Sequence, residues 1–248
     1  MARIGSSTSV MTLDALVSQL TQAHGASLIG VVLYGSAASD EAIPGQSDQN
    51  VLVIVDAVTI DTLRALGQTA RAWQEAGNPA PLELTRREWL GSADVFPMEY
   101  ADILERHRVL FGTLPLEGVS VRMANLRLQV EQEALSKLLR LRRAVMLTRG
   151  DVSRQRTVLR DSLSAVLSVF RSVLRLHGER PARNAADVIA HTATHCGLDP
   201  APFTSVLRLV KGDGMVDRDV EPTLARYLHG VETLVTYLDQ FTLTDEQL

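Results

Sequence analysis

The chain has a single cysteine, Cys196, so no intramolecular disulfide framework can form, and the sequence fits a reducing compartment. It has no surplus of basic residues: 25 Lys and Arg stand against 29 Asp and Glu, a formal net charge of −4. Neutralising phosphates requires an excess of Lys and Arg, so bulk binding to nucleic acid or to an anionic membrane is not expected, although the total leaves room for local basic faces. No apolar run approaches the roughly 20 residues needed to span a bilayer, and no secretory signal precedes the first predicted helix. Together these absences predict a cytoplasmic protein with no membrane partner. Internal repeats and low-complexity segments are also missing, and the first ten residues, rich in Ser and Thr, read as a frayed tail.

The apolar content, 46% of 248 residues, is enough for a globular protein of one large or two modest domains. The pattern changes near residue 115: β-branched runs alternate with helical stretches before it, and helical periodicity dominates after it. Residues 1–115 are therefore expected to form an α/β domain with a mixed sheet, and 116–248 a helical bundle.

In the first half, Thr12 to His24 reads as an amphipathic helix with Leu13, Val17 and Leu20 inward, followed by a buried strand over Leu28 to Leu33. Val51 to Val55 is a second strand. A helix capped by Thr59 should run to about Ala76, where Gly77, Pro79 and Pro81 stop it. Leu82 to Thr85 is a third strand, Phe96 to Leu104 a short helix opened by Pro97, and His107 to Phe111 a last strand. In the second half, helices are expected over Met123 to Arg149, Val152 to His177, Ala185 to His195, Pro202 to Lys211 and Glu221 to Phe241. The first of these has an apolar stripe of Leu128, Leu135, Leu138, Leu139, Val145 and Met146, expected to face inward.

Two segments carry chemistry. Leu33-Tyr34-Gly35-Ser36 ends a buried strand in a turn where glycine lets the backbone approach a phosphate closely. After a loop, Ser47-Asp48-Gln49-Asn50 leads into the strand Val51 to Val55, and residues 48 and 50 share a face because strand side chains repeat every two residues. This combination resembles the signature of the DNA-polymerase-β-like nucleotidyltransferases, and the layout of an α/β domain before a helical one is similar to that of the aminoglycoside and kanamycin nucleotidyltransferases. The resemblance implies transfer of a nucleoside monophosphate from a triphosphate to a hydroxyl acceptor, a small molecule or a protein, in a cleft between the domains. It also implies Mg²⁺ held by residues 48 and 50 and by a carboxylate on a neighbouring strand. Pro81-Leu82-Glu83-Leu84-Thr85 resembles the segment that supplies that carboxylate, so Asp48, Asn50 and Glu83 are the expected metal positions, with Asp48 and Glu83 as the catalytic carboxylates. Gly35, Ser36 and Ser47 are the expected nucleotide contacts.

Asn50 departs from the family pattern. An amide oxygen can coordinate Mg²⁺ but brings no charge, and hard divalent cations are held largely by carboxylates. Leu52 and Ile54 follow at the two-residue spacing, so no other acid on that face replaces it. Weak Mg²⁺ binding and weak or lost transfer are expected, with some nucleotide binding retained. The alternative is a non-catalytic nucleotide-sensing or protein-interaction module on the same scaffold.

Other candidates read more simply. His191 and His195 are spaced i, i+4 with Cys196 adjacent, but the glutamate of a metalloprotease motif is missing, and a structural or exposed pair is expected. Lys211-Gly212-Asp213-Gly214 lacks the spacing of a phosphate loop and reads as a turn. The arginines of the two long helices, among them Arg127, Arg140, Arg142, Arg143, Arg154 and Arg156, fit a solvated face better than a phosphate clamp, and Glu131 and Glu133 read as surface residues. Asp94 reads as a helix cap and Phe96 as a hydrophobic staple.

Overall fold

The structure, a computed structural model, describes residues 11–38 and 49–243. The chain divides into two compact units, Met1–Ser120 and Val121–Leu248.

Helix α1, Leu13–His24, opens the first unit, with the Thr12 hydroxyl accepting from the Ala15 N–H as its cap. Its Leu16 and Leu20 are buried against the sheet, with Leu13 and Val17 partly buried beside them. Four strands follow: β1 (Leu28–Tyr34), β2 (Asn50–Val55), β3 (Leu82–Thr85) and β4 (His107–Gly112). Their order across the sheet is β3-β2-β1-β4. β1 runs antiparallel to β2 and β4, and β2 runs parallel to β3, so the sheet is mixed as expected. Between β2 and β3 the expected single helix is two, α2 (Ile60–Ala65) and α3 (Gly67–Glu75), parted at Leu66, where a glycine of low helix propensity follows. Thr59 caps α2 through a reciprocal bond with Thr62.

The two faces of the sheet separate by strand parity. Val31, Leu33, Val51, Val53 and Val55 form one core with Leu16, Leu20 and Trp73. Val32, Leu52 and Ile54 point to the other face and are fully buried.

A helix not expected from the sequence, α4 (Arg86–Gly91), follows β3 directly, with a capping box between Thr85 and Glu88. Helix α5 is Pro97–Glu105. Phe96 itself takes its cap position with no side-chain capping bond, so the expected cap at Asp94 is not formed; Pro97 fixes the first turn instead. Trp89 and Tyr100 stack with centroids 4.4 Å apart, and the Tyr100 hydroxyl donates to the Trp89 carbonyl at 2.6 Å.

The second unit is helical: α6 (Met123–Thr148), α7 (Val152–Leu176), α8 (Ala185–Cys196), α9 (Ala201–Val210) and α10 (Asp217–Gln240). Helix α10 starts a turn before the expected Glu221 and accommodates Pro222 inside it. α6 packs against α7 and α10 through Leu126, Val130, Ala134, Leu138 and Leu141. This corrects the expected stripe: of its members only Leu138 is buried, while Leu128, Leu135, Leu139 and Met146 are exposed. α6 has two apolar stripes, and periodicity cannot choose between them; the neighbouring helices do. Among the described residues, no helix is long and apolar enough to cross a membrane.

Candidate functional site

β1 ends at Tyr34 and passes into a 3₁₀ turn, Gly35–Ala38. Gly35 sits at φ +77°, a backbone state that side chains with a Cβ rarely adopt, and its N–H donates to the Arg106 carbonyl at 3.2 Å. Tyr34 and Asn50 are cross-strand partners, so the start of β2 lies directly beside this turn. A Cβ added at Gly35 would stand 3.4 Å from Asn50 Nδ2. The glycine turn and Asn50 are thus neighbours. Ser36 continues the turn. Ser47 and Asp48 lie outside the described residues.

Tyr34 pairs with His107 on its other side, so Asn50, Tyr34 and His107 form a polar row across β2, β1 and β4. His107 Nδ1 lies 2.7 Å from the Ile103 carbonyl, which can only accept, so Nδ1 carries the proton and Nε2 is the acceptor nitrogen of the neutral ring. Burial, followed by the negative charge of Glu99 and Asp102 on α5, pushes the Tyr34 phenol up to about 12. The carboxylates whose charge reaches Tyr34 come from α5. The sequence reading missed Tyr34 and His107 as members of this row, which antiparallel pairing assembles, and Glu99 and Asp102 as the charges acting on Tyr34.

Glu83 lies elsewhere. In the parallel ladder it pairs with Val53, not with a residue of the Asn50 face, and paired residues point to the same side of a sheet. Its carboxylate meets His24, at the C-terminal end of α1, with Nε2 and Oε2 3.6 Å apart; the His24 side chain is fully buried and that of Glu83 is 12% exposed. Burial raises the Glu83 carboxyl above the usual range, and the nearby His24 offsets this in part. Neither His24 ring nitrogen has a hydrogen-bond partner, nor does Glu83 Oε1. The structure therefore does not bring Glu83 to Asn50: they occupy opposite faces and, with Val53 three residues along β2, stand about 10 Å apart along the strand direction. Of the three expected ligands, Asp48 lies outside the described residues, and the other two, Asn50 and Glu83, lie on opposite faces of the sheet. The described donors, a neutral amide and a carboxylate on the far face, do not by themselves fit a tightly held Mg²⁺, and no group of three His, Cys, Asp or Glu among the described residues is arranged to hold a metal ion.

In the helical unit, the Glu179 carboxylate lies 2.6 Å from His195 Nε2 and 3.4 Å from His191 Nδ1, so one carboxylate ties the pair. His177 stacks on His195 at 3.9 Å and meets the Tyr237 hydroxyl at 2.7 Å. Cys196 is buried, which pushes its thiol up to about 12. Lys211 and Gly212 close the end of α9, with their N–H groups on the Leu207 and Leu209 carbonyls. Arg127, Arg142 and Arg156 pair with Glu131, Glu232 and Asp217.

No protein-family model matches the chain, and no curated protein matches it in sequence. A solved structure does match: the spectinomycin adenyltransferase AAD(9) from Enterococcus faecialis, in a crystal structure with ATP and spectinomycin. The TM-score is 0.58 at 12% identity, over 91% of this chain and 97% of that one. At that identity the likeness is one of fold, and the chain has a nucleotidyltransferase-like fold, a mixed-sheet α/β unit followed by a helical one.

Proposed function

We propose that the protein binds a nucleoside triphosphate through the turn at Gly35 and Ser36, with Ser47 as a further contact, and that transfer of its nucleoside monophosphate to a hydroxyl acceptor is slow or lost. The observation that carries this reading is the neutral Asn50 amide lying against the Gly35 turn while Glu83 faces His24 on the opposite side of the sheet. Gly35 leaves room for phosphate oxygens, and backbone donors at such a turn attract anions without any metal. Asp48, two residues before Asn50, is the remaining carboxylate of the sequence motif, and with only an amide beside it Mg²⁺ would be held weakly. Charge stabilisation at phosphorus by a metal amounts to several kcal/mol in such reactions, so weakening it reduces turnover by orders of magnitude. The spectinomycin adenyltransferase, crystallised with ATP and spectinomycin, supports a nucleotide and a small-molecule acceptor as the ligand classes.

The same amide supports a second reading, a nucleotide-sensing or interaction module with no transfer at all. Calorimetry with ATP and GTP, with and without Mg²⁺, and incorporation of labelled nucleotide test both, using wild type and Asn50→Asp. Triphosphate binding that depends little on Mg²⁺ is expected for the wild type. In Asn50→Asp the Mg²⁺ dependence of binding should grow by about tenfold or more. Rapid transfer by the wild type would overturn the impairment, and absence of triphosphate binding would overturn the retained site. No transfer by either protein favours the sensing module.

A further inference from the structure

Three imidazoles gather around one carboxylate in the helical unit. His177 closes α7, His191 and His195 lie on α8, and among the described residues the carboxylate paired with the α8 histidines is Glu179, in the connection between the two helices. The His177 and His195 rings are stacked, with centroids 3.9 Å apart and planes 14° from parallel. His195 Nε2 stands 2.6 Å from a Glu179 oxygen that can only accept when ionised, so this nitrogen carries a proton whether the ring is neutral or charged. His177 directs its Nε2 to the Tyr237 hydroxyl of α10 at 2.7 Å, and the Phe241 ring meets it at a steep angle with centroids 5.2 Å apart. The Phe241 carbonyl accepts from Arg127 Nε of α6 at 2.8 Å. The stacked pair therefore joins the ends of α7, α8 and α10.

Such a stack accepts one positive charge and resists a second. Two unit charges about 4 Å apart repel strongly in a partly buried site, and the Tyr237 hydroxyl and the Phe241 ring bring no charge to offset this. Of the other titratable or charged groups nearby, the buried Cys196 thiol beside His195 is neutral, and Arg127, Arg175 and Arg180 are cations with partners of their own. Glu179 already serves His195 and His191. Both stacked rings are partly exposed, so a proton can reach them without prior opening.

We propose that the His177–His195 stack is an acid-sensitive clasp: a second proton on the pair parts the rings and frees α8 and the end of α10 from α7. Burial, followed by the charge of His195, holds the His177 imidazole below its usual range, and Glu179 offsets this in part. For a base lowered in this way the stabilisation is full above the ordinary value of 6.5 and is lost as pH falls through the folded value, so the clasp weakens in mildly acidic solution.

Hydrogen exchange of the full chain, read by mass spectrometry at about pH 7.5 and about pH 5.5 and expressed as protection relative to the unfolded chain, tests this. In the wild type, protection of α8 and of the end of α10 should fall about tenfold or more on acidification, while β1 and β2 keep theirs. His195→Gln keeps a donor for Glu179 and removes one of the two charges, so it should match the wild type near neutral pH and lose the acid response. His191→Gln leaves the stack intact and should keep the response. Proton NMR of the wild type supplies a second reading that needs no variant: His177 and His195 should titrate in two separated steps. A wild type whose α8 protection ignores pH, an acid response that survives in His195→Gln or disappears in His191→Gln, or a single shared titration step would each overturn the proposal.

Discussion

Replacing Glu83 by glutamine separates a buried partner of His24 from a metal ligand. The carboxylate stands 3.6 Å from the imidazole, beyond good hydrogen-bond reach, and Glu83 Oε1 has no hydrogen-bond partner. Burial raises its pKa despite His24, so the folded chain holds this proton more tightly than the unfolded chain does. For an acid raised in this way, the stabilisation is fully present below its unfolded value near 4.5 and is lost as pH rises through the folded value. At neutral pH the ionised group is thus a net cost. Glu83→Gln keeps the shape and removes the charge: it should be at least as stable as wild type near pH 7 and should flatten the decline in stability above pH 4.5. His24→Ala should behave oppositely. It empties a fully buried position and leaves the buried Glu83 carboxyl without the imidazole beside it, for a loss of about 2–5 kcal/mol. In the Glu83→Gln background that loss should shrink by about 1–3 kcal/mol, because no buried charge is left behind. The assay is urea unfolding followed by tryptophan fluorescence, which reports the first unit alone, since the two tryptophans of the chain, Trp73 and Trp89, are both buried there. The reasoning is refuted if Glu83→Gln costs as much as His24→Ala, or if it abolishes nucleotide binding while leaving stability unchanged.

Two further substitutions probe the fold. Gly35→Ala places a Cβ at φ +77° and 3.4 Å from the Asn50 amide; a loss of about 1–2 kcal/mol by tryptophan fluorescence and a smaller thermal shift with ATP are expected, and unchanged values for both would contradict the phosphate-turn reading. Gly230→Ala in α10 drives a Cβ to 2.6 Å from Phe203 Cε2, a fully buried ring held between Phe170 and Tyr227. Overpacking of about 1–3 kcal/mol should outweigh the roughly 1 kcal/mol of helix propensity gained, and thermal melting by circular dichroism should show net destabilisation; a stabilised variant would mean that the ring yields.

Much of this protein is written locally. The continuous apolar runs at Leu28 and Val51 and the helical periodicity of α7 act over a few residues, and these elements form where the sequence predicts them. So does the cap at Thr59. The Gly35 turn and the amide at Asn50 are likewise legible in the chain, as is the face that Asn50 shares with Leu52 and Ile54. The phase between strands is another matter. A strand's own alternation says which of its residues lie together but not which face of a neighbour they join, and only the pairing of Glu83 with Val53 sent that carboxylate to His24. The same pairing rule, acting between β2, β1 and β4, assembled Asn50, Tyr34 and His107 from three distant segments. In α6 the sequence supplied two apolar stripes of similar quality, and α7 and α10 could cover one of them. The sequence by itself thus determined the elements and the chemistry of the turn. Tertiary structure decided which side chains meet, because register and helix-face choice are set by contacts between residues far apart in the chain.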